Sequence, residues 1–95
     1  MKFGIREEIY KQIKKIIRKY EYNFFVFGSR ARGDYKYNSD IDIAVDGLIS
    51  ELDEMKIREE FDKIDMEYMV DIVFIKKINN TELVENIRRE GVLIE

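Results

Sequence analysis

The run NFFVF, Asn23 to Phe27, most narrows what this chain can fold into. It is short, continuous, aromatic and β-branched, and Gly28 ends it. A segment of that kind reads as a strand buried on both faces. The rest of the chain alternates helix-period and strand-like segments around it.

Before it, Ile5, Ile9, Ile13, Ile16, Ile17 and Tyr20 recur at spacings of three and four. Lys and Glu fill the gaps, which predicts an amphipathic helix over 5–20. Glu7 and Glu8 near its start and Lys14, Lys15, Arg18 and Lys19 near its end match the helix dipole. After it, DIDIAV (Asp40 to Val45) alternates. Asp40, Asp42 and Ala44 fall on one face of that strand, and Ile41, Ile43 and Val45 on the other. A second helix is predicted over 48–65, with Leu48, Leu52, Met55, Ile57, Phe61 and Ile64 as its apolar side. EYMVDIVFI (Glu67 to Ile75) is predicted as the longest strand, apolar inside except for Asp71. A third helix is expected from Asn79 or Asn80, either of which can cap it, with Glu82 completing a capping box if Asn79 is the cap. Leu83, Val84 and Ile87 form its apolar side, Gly91 ends it, and Val92 to Ile94 make a short edge strand. The order predicts an α/β (α+β) fold, with helices packed on a mixed or mostly parallel sheet.

The 95 residues are enough for one domain, 1–95, because two cores would each be too small. Charged residues reach 39%, yet the net charge is only −3, so both signs are mixed over the surface. A mildly acidic chain does not present a broad nucleic-acid-binding face, and no direct nucleic-acid binding is expected. Cysteine and histidine are both absent. That excludes disulfides, thiolate or imidazole zinc sites, and Cys or His nucleophiles. Any metal must be a hard cation held by oxygen, and any general base must be a carboxylate, Lys or Tyr. No stretch approaches the roughly 20 apolar residues that span a bilayer, so no membrane partner is expected and the chain is assigned to the cytoplasm.

Asp40, Asp42 and Asp71 are the chemically informative residues. Carboxylates at i and i+2 of a strand point to the same side, with Cα atoms about 6.5–7 Å apart. Both can reach one divalent cation or bracket two. A solvated strand face is an equal alternative for Asp40 and Asp42 taken alone. Asp71 is harder to explain in that way, because an aspartate inside an apolar strand is usually paired or bound to metal. If the two acidic strands are neighbours, Asp71 adds a third carboxylate from the adjacent ladder position. Three acids and no histidine suit Mg²⁺, or Mn²⁺ in its place.

The turn Gly28-Ser29 opens SRAR, which can form a short helix with Ser29 as its N-cap. Free backbone N–H groups and a hydroxyl there suit phosphate, and Gly28 lets a ligand approach closely. Arg30 and Arg32 add positive charge and are candidate phosphate contacts. A solvated turn, or a contact with a partner, is the alternative for both. A phosphate cradle beside a carboxylate cluster points to metal-assisted phosphoryl or nucleotidyl transfer.

Gly28-Ser29, ten residues, Asp40-x-Asp42 and a later Asp71 form a pattern similar to the signature of the DNA polymerase β-like nucleotidyltransferase superfamily. The fuller string FGSRARGDYKYNSDIDIAV, with VDIVFI and the tail IRREGVLIE, resembles the minimal nucleotidyltransferase family, the antitoxin half of HEPN–MNT toxin–antitoxin pairs. The resemblance covers nearly the whole chain. It implies a small mixed sheet with helices packed on one face and a metal-dependent active site on the other. It implies that Gly28 and Ser29, with Arg30 beside them, hold the triphosphate of ATP, and that Asp40 and Asp42 bind two Mg²⁺ ions. Asp71 would ligate one ion and help deprotonate the incoming hydroxyl. The implied activity is transfer of AMP from ATP to a tyrosine of a HEPN ribonuclease toxin, which silences it, with the two chains in a hetero-oligomer. Neutralisation by stoichiometric binding, and transfer to a small-molecule hydroxyl, are the alternative readings.

Overall fold

A computed structural model describes residues 2–95. The elements run α1 (Glu7–Ile17), β1 (Asn23–Phe27), α2 (Ser29–Arg32), β2 (Ile41–Asp46), α3 (Glu51–Asp62), β3 (Val70–Phe74), a 3₁₀ turn (Ile75–Lys77), α4 (Thr81–Glu90) and β4 (Val92–Leu93). The four strands form one sheet in the order β3-β2-β1-β4. β1 pairs antiparallel with β2 and with β4, whereas β2 and β3 are parallel. The mixed sheet expected from the alternation is therefore present, with β2 and β1 at its centre.

Strand alternation divides the core in two. Phe24 and Val26 of β1, Ile41, Ile43 and Val45 of β2, and Ile72 and Phe74 of β3 face one side. Ile9, Ile13, Ile16 and Ile17 of α1 and Ile57 and Phe61 of α3 pack on them. On the other side, Phe25, Phe27, Ala44 and Val73 meet Ile87, Leu83 and Val84 of α4. Helices on one face thus describes α1 and α3, while α4 lies across part of the opposite face. Phe25 and Phe27 owe their cover to α4, which is why NFFVF can be apolar on both sides.

The local chemistry explains most boundaries. Asn80 caps α4, its side chain accepting from Leu83 N–H at 3.1 Å, so Glu82 falls one position short of a capping box. Ser50 caps α3 by accepting from Asp53 N–H at 3.1 Å, which leaves Leu48 outside the helix. Leu48, Leu52 and Met55 are 89%, 55% and 51% exposed, against the expected core face. At 3.6 residues per turn, Leu52 and Met55 point away from Ile57 and Phe61, and only one of the two sets can meet the sheet. The strand predicted over 67–75 shortens to Val70–Phe74, because Ile75 turns to bury against Ala44 and Ile87.

Replacing Ile57 by Ala is expected to destabilise the fold by about 2–5 kcal/mol. Leu52→Ser should stay within about 0.5 kcal/mol of the parent. Urea denaturation of the two variants measures the contrast.

Candidate active site

Sheet register brings the acids together at one end of the sheet. In the parallel ladder Asp42 stands opposite Asp71, and in the antiparallel ladder it stands opposite Phe27, one residue before Gly28. Asp42 is therefore flanked by the second acidic strand on one side and by the glycine turn on the other. Asp40 immediately precedes β2 and is exposed, as is Asp71, while Asp42 is half-buried. Asp40 and Asp71 are open to solvent at this end of the sheet, while the α4 cluster reaches as far as Phe27, the cross-strand neighbour of Asp42.

Gly28 is held at φ 72°, a conformation that side chains disfavour. A Cβ at this position would collide with Asp42 Oδ2. The close approach that Gly28 permits is thus made by the acidic strand itself. Gly28 is also the N-cap of α2, with its carbonyl accepting from the N–H groups of Ala31 and Arg32, each at 3.1 Å. Ser29, expected as the cap, is instead the first helical residue, and no side chain caps this turn. The N–H groups of Ser29 and Arg30 fall in a first turn, where helix geometry provides no intrahelical acceptor.

Burial raises the Asp42 carboxyl above its ordinary range, and the neighbouring charges of Asp71 and Asp40 raise it further. Arg30 and Arg32 act in the opposite sense, but more weakly. Among the described residues no three carboxylates are gathered at metal-binding distance. Like charges on one sheet face repel, so nothing draws them closer than the backbone register dictates. The donor set itself, oxygen from two adjacent strands and no nitrogen or sulfur, fits a hard divalent cation.

Arg30 does not stand where a phosphate contact was expected. It is 2% exposed, and its guanidinium donates to the carbonyls of Ser39, Tyr37 and Phe3. With four of its five N–H groups so engaged and the side chain buried, it is not presented to an incoming phosphate as the site stands. Arg32 is exposed and reaches Asp34 at 3.3 Å and Glu90 at 3.4 Å. Sequence reasoning missed Tyr35 and Tyr68, whose rings flank Arg30. No local pattern marks Tyr68, which is 38 residues away in the chain, and Tyr35, though near in sequence, shows its role only once Arg30 is seen to be buried. A polar groove of about 760 Å³ lies elsewhere, lined by Lys19, Tyr20, Tyr22, Lys56 and Lys63 among others. Its Tyr20 and Tyr22 hydroxyls donate to Glu60 and Asp53, each at 2.6 Å, which accounts for them as ties between α3 and the segment after α1.

The fold and this site define a class of enzyme. The sequence model described as "Polymerase beta, Nucleotidyltransferase" matches residues 11–95. The chain belongs to this nucleotidyltransferase family. Among curated proteins it is similar to MJ0141 of Methanocaldococcus jannaschii, named as a candidate protein adenylyltransferase, at 29% identity over 93% of each chain. Solved structures share the fold. A toxin–antitoxin crystallised with AMP-PNP superposes with a TM-score of 0.68 at 24% identity, covering 88% of this chain and 70% of that one. A mutant of the toxin–antitoxin MntA–HpeT gives 0.65 at 20% identity over the same shares. A candidate nucleotidyltransferase from Sulfolobus solfataricus gives 0.55 at 23% identity, covering 96% and 81%.

Gly28→Ala should destabilise the fold by at least about 1–2 kcal/mol from the left-handed backbone alone. It should also displace the Asp42 carboxylate, seen as shifted β2 amide resonances. Asp42→Asn is expected to do the reverse. A raised carboxyl contributes stability when protonated and loses it as pH rises through the folded-state value. Without added divalent cations, the Asn variant should therefore melt higher than the parent at pH 7. The gap should close below about pH 4, where Asp42 is protonated in both states. A melting series across that range, with Asp40, Asp71, Arg30 and Arg32 intact, reads the sign directly.

Proposed function

We propose that residues 1–95 make up one minimal nucleotidyltransferase domain that transfers AMP from ATP to a tyrosine hydroxyl of a partner HEPN-type ribonuclease toxin and so silences it. The register of Asp42 against Asp71, with the Asp42 carboxylate over the Gly28 turn, is the observation that supports this reading most. The similarity to a candidate protein adenylyltransferase, and the shared fold with toxin–antitoxin structures, point the same way.

Asp40, Asp42 and Asp71 are the residues that would hold two Mg²⁺ ions, with Mn²⁺ able to replace them. When bound, such ions neutralise phosphate charge and polarise the phosphorus under attack. Ser29 and the free N–H groups after Gly28 bind the triphosphate. The tyrosine oxygen attacks the α-phosphorus, the bond to the bridging oxygen breaks, and pyrophosphate leaves. Asp71, exposed on the outer strand, is open to the acceptor and takes the hydroxyl proton. Ionised carboxylates are required for this, so a raised Asp42 makes ion binding weaken as pH falls. No helix among the described residues is long and apolar enough to cross a membrane. A cytoplasmic complex with the toxin, where ATP and Mg²⁺ are abundant, fits the reading.

Incubation with Mg²⁺, ATP labelled at the α-phosphate and the partner toxin should move label onto a toxin tyrosine. Asp40→Asn combined with Asp42→Asn should reduce that transfer on the order of a hundredfold or more. Absence of label on the toxin, together with full neutralisation by the double variant, would show that binding alone silences it.

A further inference from the structure

We propose that Arg30 is a positioning residue for the acidic site: its buried guanidinium suspends the loop 33–39 and so sets where Asp40 stands beside Asp42. The consequence for ion binding rests on the nucleotidyl-transfer reading above, but the loop-holding role does not.

The guanidinium reaches three separate stretches of chain. Nε and Nη2 donate to Ser39 O at 3.1 and 2.7 Å, Nη2 also to Tyr37 O at 3.3 Å, and Nη1 to Phe3 O at 3.0 Å. The rings of Tyr35 and Tyr68 stand on it, each with its centroid 5.0 Å from Cζ. A cation withdrawn from water needs its donors satisfied, and here main-chain carbonyls and two aromatic faces do this in place of a carboxylate. The contacts are mutually dependent. Gly4 adopts φ 69°, and a Cβ there would collide with the Tyr35 ring. The Tyr68 hydroxyl accepts from Arg6 N–H at 3.1 Å, tying the segment before β3 to the same knot.

Asp40 sits between two fixed points. On its N-terminal side, the Ser39 carbonyl is held twice by Arg30, and Ser39 closes a turn with Lys36. Ser39 N–H donates to Lys36 O at 3.0 Å, and Lys36 N–H to Ser39 Oγ at 2.8 Å. On its C-terminal side, Ile41 N–H donates to Met69 O at 2.8 Å, which opens the β2–β3 ladder. The peptide units flanking Asp40 are thereby anchored, one by the buried cation and one by the sheet. Release of the first leaves Asp40 attached to the sheet on one side only. The planar fork that serves three carbonyls while lying 5.0 Å from two ring centroids is a property of Arg that Lys lacks.

The experiment compares Arg30→Lys and Arg30→Met with the parent by amide hydrogen exchange, by Mn²⁺ binding followed by electron paramagnetic resonance, and by steady-state kinetics. Exchange over residues 34–40 should accelerate about tenfold or more in the Lys variant, while β1 amides stay protected. Mn²⁺ binding should weaken about 10–100-fold, as for loss of a residue that orients a ligand. In the transfer assay kcat should fall while KM for ATP stays within about twofold. Unchanged loop exchange in Arg30→Lys, or a raised KM for ATP with loop exchange and Mn²⁺ binding intact, would overturn the proposal and restore a phosphate contact. If Arg30→Met unfolds, Tyr35→Leu opens one face of the guanidinium and should give the same loop pattern in milder form; a protected loop there counts against the proposal. If the parent itself binds no Mn²⁺, the nucleotidyl-transfer reading fails separately, and loop exchange still decides whether Arg30 holds the loop.

Discussion

Everything in this molecule is arranged around the two-sidedness of β2. Ile41, Ile43 and Val45 are fully buried against α1 and α3, and Asp42, Ala44 and Asp46 take the opposite face. Because side chains alternate, a slip of one residue would drive two aspartates into the core and three large apolar groups out of it. That penalty locks the register with β1 and β3. The same register that protects the core sets Asp42 beside Asp71 and over Gly28. Core packing and site geometry are consequences of one alignment.

The site that results is electrostatically loaded. A half-buried carboxyl with two acidic neighbours favours its protonated form, and two nearby arginines relieve this only in part. Such an arrangement weakens the isolated fold and favours whatever positive charge can settle between the strands. On the face that carries the acids, the α4 cluster takes in Phe25, Phe27, Ala44 and Val73 and none of the three aspartates. A small domain can therefore keep a hydrophobic layer on both sides of its sheet and still leave one end open for chemistry.

Strand identities and the order of elements were legible because their signals are local. β1 spans the same residues as the run NFFVF, and within β2 the alternation assigned Ile41 to Val45 to their observed faces. What escaped was decided by distant partners. Leu48, Leu52 and Met55 carry the same apolar character as Ile57 and Phe61, and only the position of the sheet selects which set is buried. Ile75 continues the β pattern, but the chain must turn there for α4 to reach Ala44. Arg30 looked like a surface charge next to a phosphate turn. Its burial depends on Phe3, Tyr37 and Tyr68, which no window around residue 30 contains together.

By itself, the sequence determined the alternation of helices and strands, the exclusion of thiol and imidazole chemistry, and the identity of the three acids and the glycine turn. Periodicity and side-chain chemistry are properties of the chain, so these needed no coordinates. Only the tertiary structure decided that β2 and β3 run parallel with Asp42 facing Asp71, that Gly28 makes room for a carboxylate, and that Arg30 supports the loop before Asp40. Each of these joins segments far apart in the chain, and such pairings are chosen by packing of the whole core rather than by any local preference.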